Sequence, residues 1–160
     1  MGNYRNFEKD FVTRTIELIE QYNQMIPNEP FERQFNYTLT LNCLLGLIVM
    51  PKERVINTIP NDRLTTRAKR SMGITHSELP DEGMTLRGLI TKMRHSVAHF
   101  DIEVESVDRR CLVDFVNFKD TRGGGVYARF HAEEIFPFLQ AYAQKLVDSM
   151  ERQQHHREQA

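Results

Sequence analysis

The chain has 160 residues, of which 40% are hydrophobic and 27% are charged, and its formal net charge is −1. This length and composition are typical of one globular domain with a single core. A net charge so close to zero excludes a surface that is basic throughout, so any anionic partner must bind a local patch. The longest apolar run, residues 39–50, is too short to span a bilayer, and we expect a cytoplasmic protein with no membrane partner.

The first third of the chain has the hydrophobic spacing of two helices. Residues 5–24 carry one apolar stripe, and Pro27 and Pro30 then interrupt the helical pattern. A second helix is predicted over residues 31–50, and it is apolar on nearly all sides after Leu39. A helix of this kind lies either at the centre of a core or under a second subunit.

Residues 51–80 are irregular and basic, with short helical turns predicted at 52–58 and 62–71. Arginine and lysine side chains in such a segment can neutralise the phosphates of an RNA backbone. A solvated loop that keeps the protein soluble fits the same composition equally well. The cations that we predict to contact RNA are Arg63, Arg67, Lys69 and Arg70.

A third helix is predicted over residues 84–98, and the polar side chains Arg94, His95 and His99 at its end stand apart from its apolar face. On an ideal helix His95 and His99 diverge by about 40°, whereas Arg94 and His99 diverge by about 140°. One straight helix therefore does not direct Arg94 and His99 at the same phosphate. Either the helix ends near Ala98, or a partner residue comes from elsewhere.

After residue 101 the hydrophobic spacing changes from helical to alternating. Residues 102–107, 111–115 and 126–130 alternate as half-buried strands do. Residues 120–125 are predicted to be the hairpin turn between the last two strands, because consecutive glycines adopt positive φ freely. A phosphate-binding glycine loop would instead be followed by a helix.

The chain is predicted to end in one more helix and a tail. The helix covers residues 132–152, with Pro137 near its start. Residues 153–160 contain no large apolar side chain and should form a flexible tail. We therefore expect a single domain over residues 1–152.

The three residues Arg94, His95 and His99 have the chemistry to cleave RNA without a metal. Histidine changes its charge near neutral pH, so it can give or take a proton there. The guanidinium group is a permanent cation whose paired donors match two phosphate oxygens. With the 2′-hydroxyl of RNA as the internal nucleophile, these groups can carry out phosphodiester cleavage.

Two other interpretations of the same residues remain open. As cations at a helix end, they would stabilise the helix dipole by up to about 1 kcal/mol. His95 and His99 also have the i, i+4 spacing of metal ligands, although the glutamate of the zinc-protease motif is absent. The third ligand of such a site would come from His76, Asp101 or Glu103.

The segment Arg94-His-Ser-Val-Ala-His99 resembles the R-x(4–6)-H motif of the HEPN (higher eukaryotes and prokaryotes nucleotide-binding) superfamily. That motif often has a polar residue directly after the arginine, which is the position of His95. The order of elements is also similar to the HEPN bundle: two long helices, the motif at the end of a third, and a final helix that packs back. The resemblance implies a mainly α fold, a four-to-five-helix bundle in which residues 102–130 form a small antiparallel β insertion before the last helix.

Many HEPN proteins are metal-independent endoribonucleases, often toxins or defence effectors, and they work as dimers whose two motifs meet in one cleft. The resemblance implies that Arg94 binds the scissile phosphate, that His99 is the acid/base, and that His95 tunes His99 or binds the RNA. It implies no cofactor and no metal. A homodimer through the second and third helices would bring Arg94 and His99 of both chains together.

The resemblance also bears on control and on the alternative function. Some HEPN toxins are silenced by a nucleotidyltransferase that modifies a tyrosine two places after the motif histidine, and Asp101 occupies that place here. An antitoxin or another regulatory partner would therefore act differently. Other members have lost catalysis, so the alternative is a non-catalytic nucleotide-binding, RNA-binding or assembly module.

Overall fold

The computed structural model describes residues 4–50, 56–80, 83–107 and 112–158, with side chains as far as residue 155. Its helices and strands follow one another along the chain without a repeat. They are α1 (Phe7–Met25), α2 (Asn36–Val49), α3 (Thr66–Ser71), α4 (Leu86–Ala98), β1 (Ile102–Glu105), β2 (Phe115–Lys119), β3 (Val126–His131) and α5 (Ala132–Glu158). Single 3₁₀ turns at Ile26–Asn28 and Phe31–Arg33 connect α1 to α2. This order confirms the predicted fold, mainly α with a small antiparallel sheet before the last helix.

Helix α2 is the centre of the bundle, because it packs against α1, α4 and α5. Its residues Leu44, Leu47 and Ile48 are completely buried. Each such side chain contributes about 1.5–3 kcal/mol when it is removed from water. Not all of α2 is covered, since Val49 is 44% exposed and Asn42 is also exposed. The helix therefore fills the core with one face and leaves part of the other open.

The three strands form one antiparallel sheet in the order β1-β2-β3. Val116 and Phe118 of β2 and Phe130 of β3 point into the core. Phe130 packs against Phe138 of α5, with ring centroids 5.0 Å apart. The sheet thus lies against the bundle, and β2 also contacts α4.

The predicted positions within the sheet are wrong in two places. The second strand is Phe115–Lys119 rather than 111–115; residues 112–114 are outside any strand, and residue 111 is outside the described residues. The pairing of Phe115 with His131 sets this register, and a distant partner of that kind leaves no local pattern. The first strand ends at Glu105 rather than at residue 107, so Val107, which is 71% exposed, lies outside it, and Val104 on this edge strand is 47% exposed.

The helices also differ from the sequence pattern at their ends. Helix α2 begins at Asn36, because residues 31–33 form a separate 3₁₀ turn. Helix α5 continues to Glu158, so most of the predicted tail is helical. Arginine, glutamine and glutamate are good helix formers, and extending an existing helix avoids the cost of nucleation. No helix among the described residues is long and apolar enough to cross a membrane.

The basic segment contains one short helix, α3, which lies within the predicted turn 62–71. Thr65 caps it by accepting a hydrogen bond from the backbone N–H of Ala68 at 3.1 Å. Most of the other predicted turn, 52–58, lies outside the described residues.

Candidate active site

The end of α4 is fixed by a hydrogen-bonded cap that lies next to the motif histidines. The backbone N–H of Asp101 donates to the carbonyl of Ser96 at 2.8 Å, and that of Phe100 donates to the carbonyl of Val97 at 3.2 Å. This is the Schellman arrangement, whose left-handed residue is usually glycine. Here that residue is Phe100, with φ 60° and a side chain that is 91% exposed. A side chain in this conformation costs about 1–2 kcal/mol.

His95 and His99 line one cleft of about 380 Å³ between α4 and the β2–β3 hairpin. Both imidazoles are exposed, and neither makes a hydrogen bond within the described part of the chain. Their presence in one cleft agrees with the small angle between positions one turn apart on a helix. The described residues that line it are Lys92, His95, Ser96, His99, Lys119, Asp120, Thr121, Arg122 and Tyr127.

The floor of the cleft is a hydrogen-bonded pair of hydroxyl groups. The Ser96 hydroxyl is buried, donates to the carbonyl of Lys119 at 2.8 Å, and lies 2.9 Å from the Tyr127 hydroxyl. Because Ser96 uses its proton on Lys119, Tyr127 is the donor of the second bond. Burial raises the pKa of Tyr127 to about 12. Tyr127 is therefore neutral at physiological pH and serves as a fixed donor rather than as a base.

The walls of the cleft carry three cations and one carboxylate. Lys92 Nζ lies 3.1 Å from Asp120 and 4.5 Å from the ring centroid of Tyr127, and Lys119 pairs with Glu103 at 2.7 Å. The backbone N–H of Arg122 and then the Lys92 ammonium hold the pKa of Asp120 below its usual range. Asp120 therefore stays ionised, and the cleft has a net positive charge that favours an anionic ligand.

Arg94 is not part of this cleft. Its side chain is partly buried, and it makes no hydrogen bond or ion pair with the rest of the described chain. Arg94 lies on α4 one residue before His95, so helical geometry turns it about 100° away from that side chain. The helix ends at Ala98, as one of the two alternatives predicts, and His99 is its C-cap residue. The structure brings His95 and His99 together within one chain, and it does not bring Arg94 to them.

None of the cations predicted to bind RNA lines the cleft. The Lys69 ammonium is occupied by two backbone carbonyls, donating to Leu79 at 3.2 Å and to Pro80 at 2.7 Å, so it holds a loop. Arg63 joins a β-bridge to Thr85 through its backbone. The side chains that remain exposed in this group are those of Arg63, Arg67 and Arg70.

The cations that do line the cleft, Lys92, Lys119 and Arg122, are not those that the sequence predicts. The glycine-rich turn was the available signal, because a turn that joins two strands displays its polar residues at one end of a sheet. The turn sequence does not, however, predict the strand pairing that places this end of the sheet next to α4. Among the described residues, no group of three or more histidine, cysteine, aspartate or glutamate side chains could hold a metal ion.

A helical bundle with an R-x(4)-H motif at the end of its third long helix defines a HEPN domain. The chain belongs to the family described as HEPN pEK499 p136, whose model matches residues 1–153. This match confirms the HEPN membership that the motif predicts. No curated protein and no solved structure matches the chain.

Proposed function

We propose that the protein is a metal-independent endoribonuclease of the HEPN type. The observation that carries the proposal is that His95 and His99 line the same positively charged cleft at the end of α4. RNA supplies its own nucleophile: the 2′-hydroxyl loses its proton and attacks the adjacent phosphorus, and the 5′-oxygen leaves with a proton. The products end in a 2′,3′-cyclic phosphate and a 5′-hydroxyl.

Each proton transfer needs a group that exchanges protons near neutral pH. His99 is the proposed acid/base, because it is exposed in the cleft at the last position of the motif. His95, one turn earlier, is within the same cleft to bind the phosphate or to tune His99. General acid–base catalysis of this kind contributes about 10²–10⁴-fold to the rate.

Arg94 is the proposed ligand of the scissile phosphate, and in this proposal it serves the cleft of a second copy. We assign Arg94 to the cleft of a second copy because it does not line the cleft of its own chain. A twofold axis that passes near α2 and α4 would let each motif supply what the other lacks. The partly uncovered outer face of α2, which includes Val49, supports a contact of this kind.

The separation of Arg94 from the histidines also favours a second candidate function. A chain that stays monomeric would keep a cationic cleft without the arginine, and it would be an RNA-binding or nucleotide-binding module. As an active RNase, the protein would instead be a toxin or a defence effector in the cytoplasm, restrained by an antitoxin or another regulatory partner. Light scattering at micromolar concentration separates these cases, because only a dimer completes the proposed site.

Cleavage of total RNA in excess chelator tests the nuclease directly. We expect the wild-type protein to cleave RNA and to leave 2′,3′-cyclic phosphate ends, and we expect His99→Ala to lose about 10³-fold in rate while it still binds RNA. His76→Ala is the matched control, because it removes an exposed imidazole that does not line the cleft. Cleavage that survives in His99→Ala, or that requires an added metal, would contradict the proposal.

A further inference from the structure

We propose that the β2–β3 turn, residues 120–125, is a phosphate-binding subsite, in which Arg122 binds a phosphate of the RNA backbone that flanks the scissile one. This inference rests on the proposed function for the position of the scissile phosphate. It adds a second contact point, in the β insertion, for the substrate of the same cleft.

The turn is held in one conformation by its own backbone and by Asp120. The N–H of Asp120 donates to the carbonyl of Gly125 at 2.9 Å, and the N–H of Gly124 donates to the carbonyl of Asp120 at 2.8 Å. The N–H of Arg122 donates to the Asp120 carboxylate at 3.0 Å. Gly124 has φ 67°, a conformation that glycine adopts without strain. The backbone that carries Arg122 is therefore defined before any ligand arrives.

The turn is also fixed relative to the motif helix. Asp120 pairs with Lys92 of α4 at 3.1 Å, and the N–H of Lys119 donates to the carbonyl of Asp101 at 2.9 Å. The Ser96 hydroxyl donates to the carbonyl of Lys119 at 2.8 Å. These three links join the base of the turn to the same helix end that carries the histidines. A ligand bound at the turn would thus be held at a set distance from His95 and His99.

Arg122 is the cleft cation that remains available. Lys92 is paired with Asp120, and Lys119 is paired with Glu103. Within the part of the chain that the structure describes, the Arg122 guanidinium makes no hydrogen bond and no ion pair, and it is exposed at the cleft. An exposed guanidinium with all its donors open matches a phosphate, which can accept two of them at once.

The shape of the cleft favours a polynucleotide over a small anion. The cleft extends from the end of α4, where the histidines lie, to the hairpin turn, where Arg122 lies. In this proposal the scissile phosphate lies at the histidines and a neighbouring phosphate of the same chain lies at the turn. Lys92 and Lys119 line the same cleft, although Asp120 and Glu103 pair with them.

Binding of an RNA that cannot be cleaved isolates the subsite from the chemistry. We would use the full chain with an oligoribonucleotide that carries 2′-O-methyl groups throughout, and measure its Kd against salt concentration for the wild type and for Arg122→Gln. The substitution keeps the backbone N–H of residue 122, which donates to the Asp120 carboxylate. We expect about tenfold weaker binding at low salt, and a salt dependence whose slope falls by about 0.7, the value for one lost contact to a single strand.

The matched control is Arg33→Gln, which removes an exposed arginine in a 3₁₀ turn that does not line the cleft. It should leave both the Kd and the slope unchanged. Arg67→Gln tests the competing surface on α3. Equal effects of Arg33→Gln and Arg122→Gln would overturn the subsite, and so would a large effect of Arg67→Gln with none at Arg122.

Methylphosphonate substitution then identifies the phosphate. Each backbone phosphate of the oligonucleotide is made neutral in turn, and the penalty of Arg122→Gln should vanish at one position beside the cleavage site. A penalty that persists at every position, or equal Arg122 dependence for a mononucleotide, would overturn the proposal. If RNA binds through Arg122 but is never cleaved, the nuclease proposal fails and the subsite stands; if RNA is cleaved but binding ignores Arg122, the reverse holds.

Discussion

Glu134 should make the stability of the protein strongly dependent on acid pH. Its carboxylate is buried in the first turn of α5. It accepts five hydrogen bonds from residues 75–77, a loop that is distant in the sequence and packs against the start of α5. The donors are the backbone N–H groups and hydroxyl groups of Thr75 and Ser77, and the N–H of His76, at 2.6–2.9 Å. Burial raises the pKa of Glu134, but these bonds outweigh it and hold the value at about 2.

The size of the effect follows from that displacement. A glutamate whose pKa falls from 4.5 to about 2 on folding adds roughly 3 kcal/mol to the free energy of unfolding at neutral pH. This contribution is present in full above the ordinary pKa and is lost as the pH falls from about 5 towards 2. In Glu134→Gln an amide N–H₂ would face N–H and O–H donors, so at least one buried donor would lose its partner.

Urea unfolding of the wild type, Glu134→Gln and Glu133→Gln at several pH values tests this reasoning. At pH 7 we expect Glu134→Gln to be less stable by about 3 kcal/mol, and the difference from wild type should shrink as the pH approaches 2. Glu133 is exposed in the same helical turn, so its substitution controls for the helix dipole and should cost under about 1 kcal/mol. A constant difference between pH 7 and pH 3, or equal costs for the two variants, would refute the argument.

Two further substitutions test the motif and the helix end. Arg94→Lys keeps the positive charge but loses the paired donors, so we expect most of the cleavage rate to be lost while the melting temperature changes little; a fully active variant in a cleavage assay would rule out Arg94 as the phosphate ligand. Phe100→Gly places glycine where the backbone is left-handed and removes a side chain that is 91% exposed, so thermal unfolding should show unchanged or slightly higher stability, by up to about 1 kcal/mol. A clear loss of stability in Phe100→Gly would mean that the ring packs in solution.

The sequence predicted the helices better than the sheet, because helices depend on contacts between residues near in sequence and sheets on contacts between distant ones. Helical spacing is a local signal, so the motif helix predicted over 84–98 closely matches Leu86–Ala98. Of the two alternatives that the helix geometry left open, the helix does end at Ala98, and Arg94 still lies outside the cleft of its own chain. Strand β2 was misplaced because Asn117, a polar residue, is buried there, and its amide donates to Glu105 across the sheet at 3.0 Å.

The cleft could not be found in the sequence for the same reason. Lys119 and Arg122 reach the motif only after β2 pairs with β1 and the turn packs beside α4. These contacts join residues that are more than 20 positions apart, as in the bond from Ser96 to Lys119. The hydrophobic spacing of the sequence does not predict such long-range contacts. The basic segment was the more visible cluster, yet one of its four predicted RNA contacts, Lys69, uses its charge to hold a loop.

The buried hydroxyl of Ser96 has a consequence for how freely this domain can recombine with its relatives. Its hydrogen-bond partners on the hairpin are Lys119 and Tyr127, so the motif helix depends on the sheet for the satisfaction of a core polar group. If α4 were transplanted into a bundle without the hairpin, that hydroxyl would face the interior with only the carbonyl of Lys92, at 3.3 Å, within reach. The helix and the hairpin should therefore be inherited and exchanged as one unit, and a chimaera that moves either one alone would inherit a fault in its core.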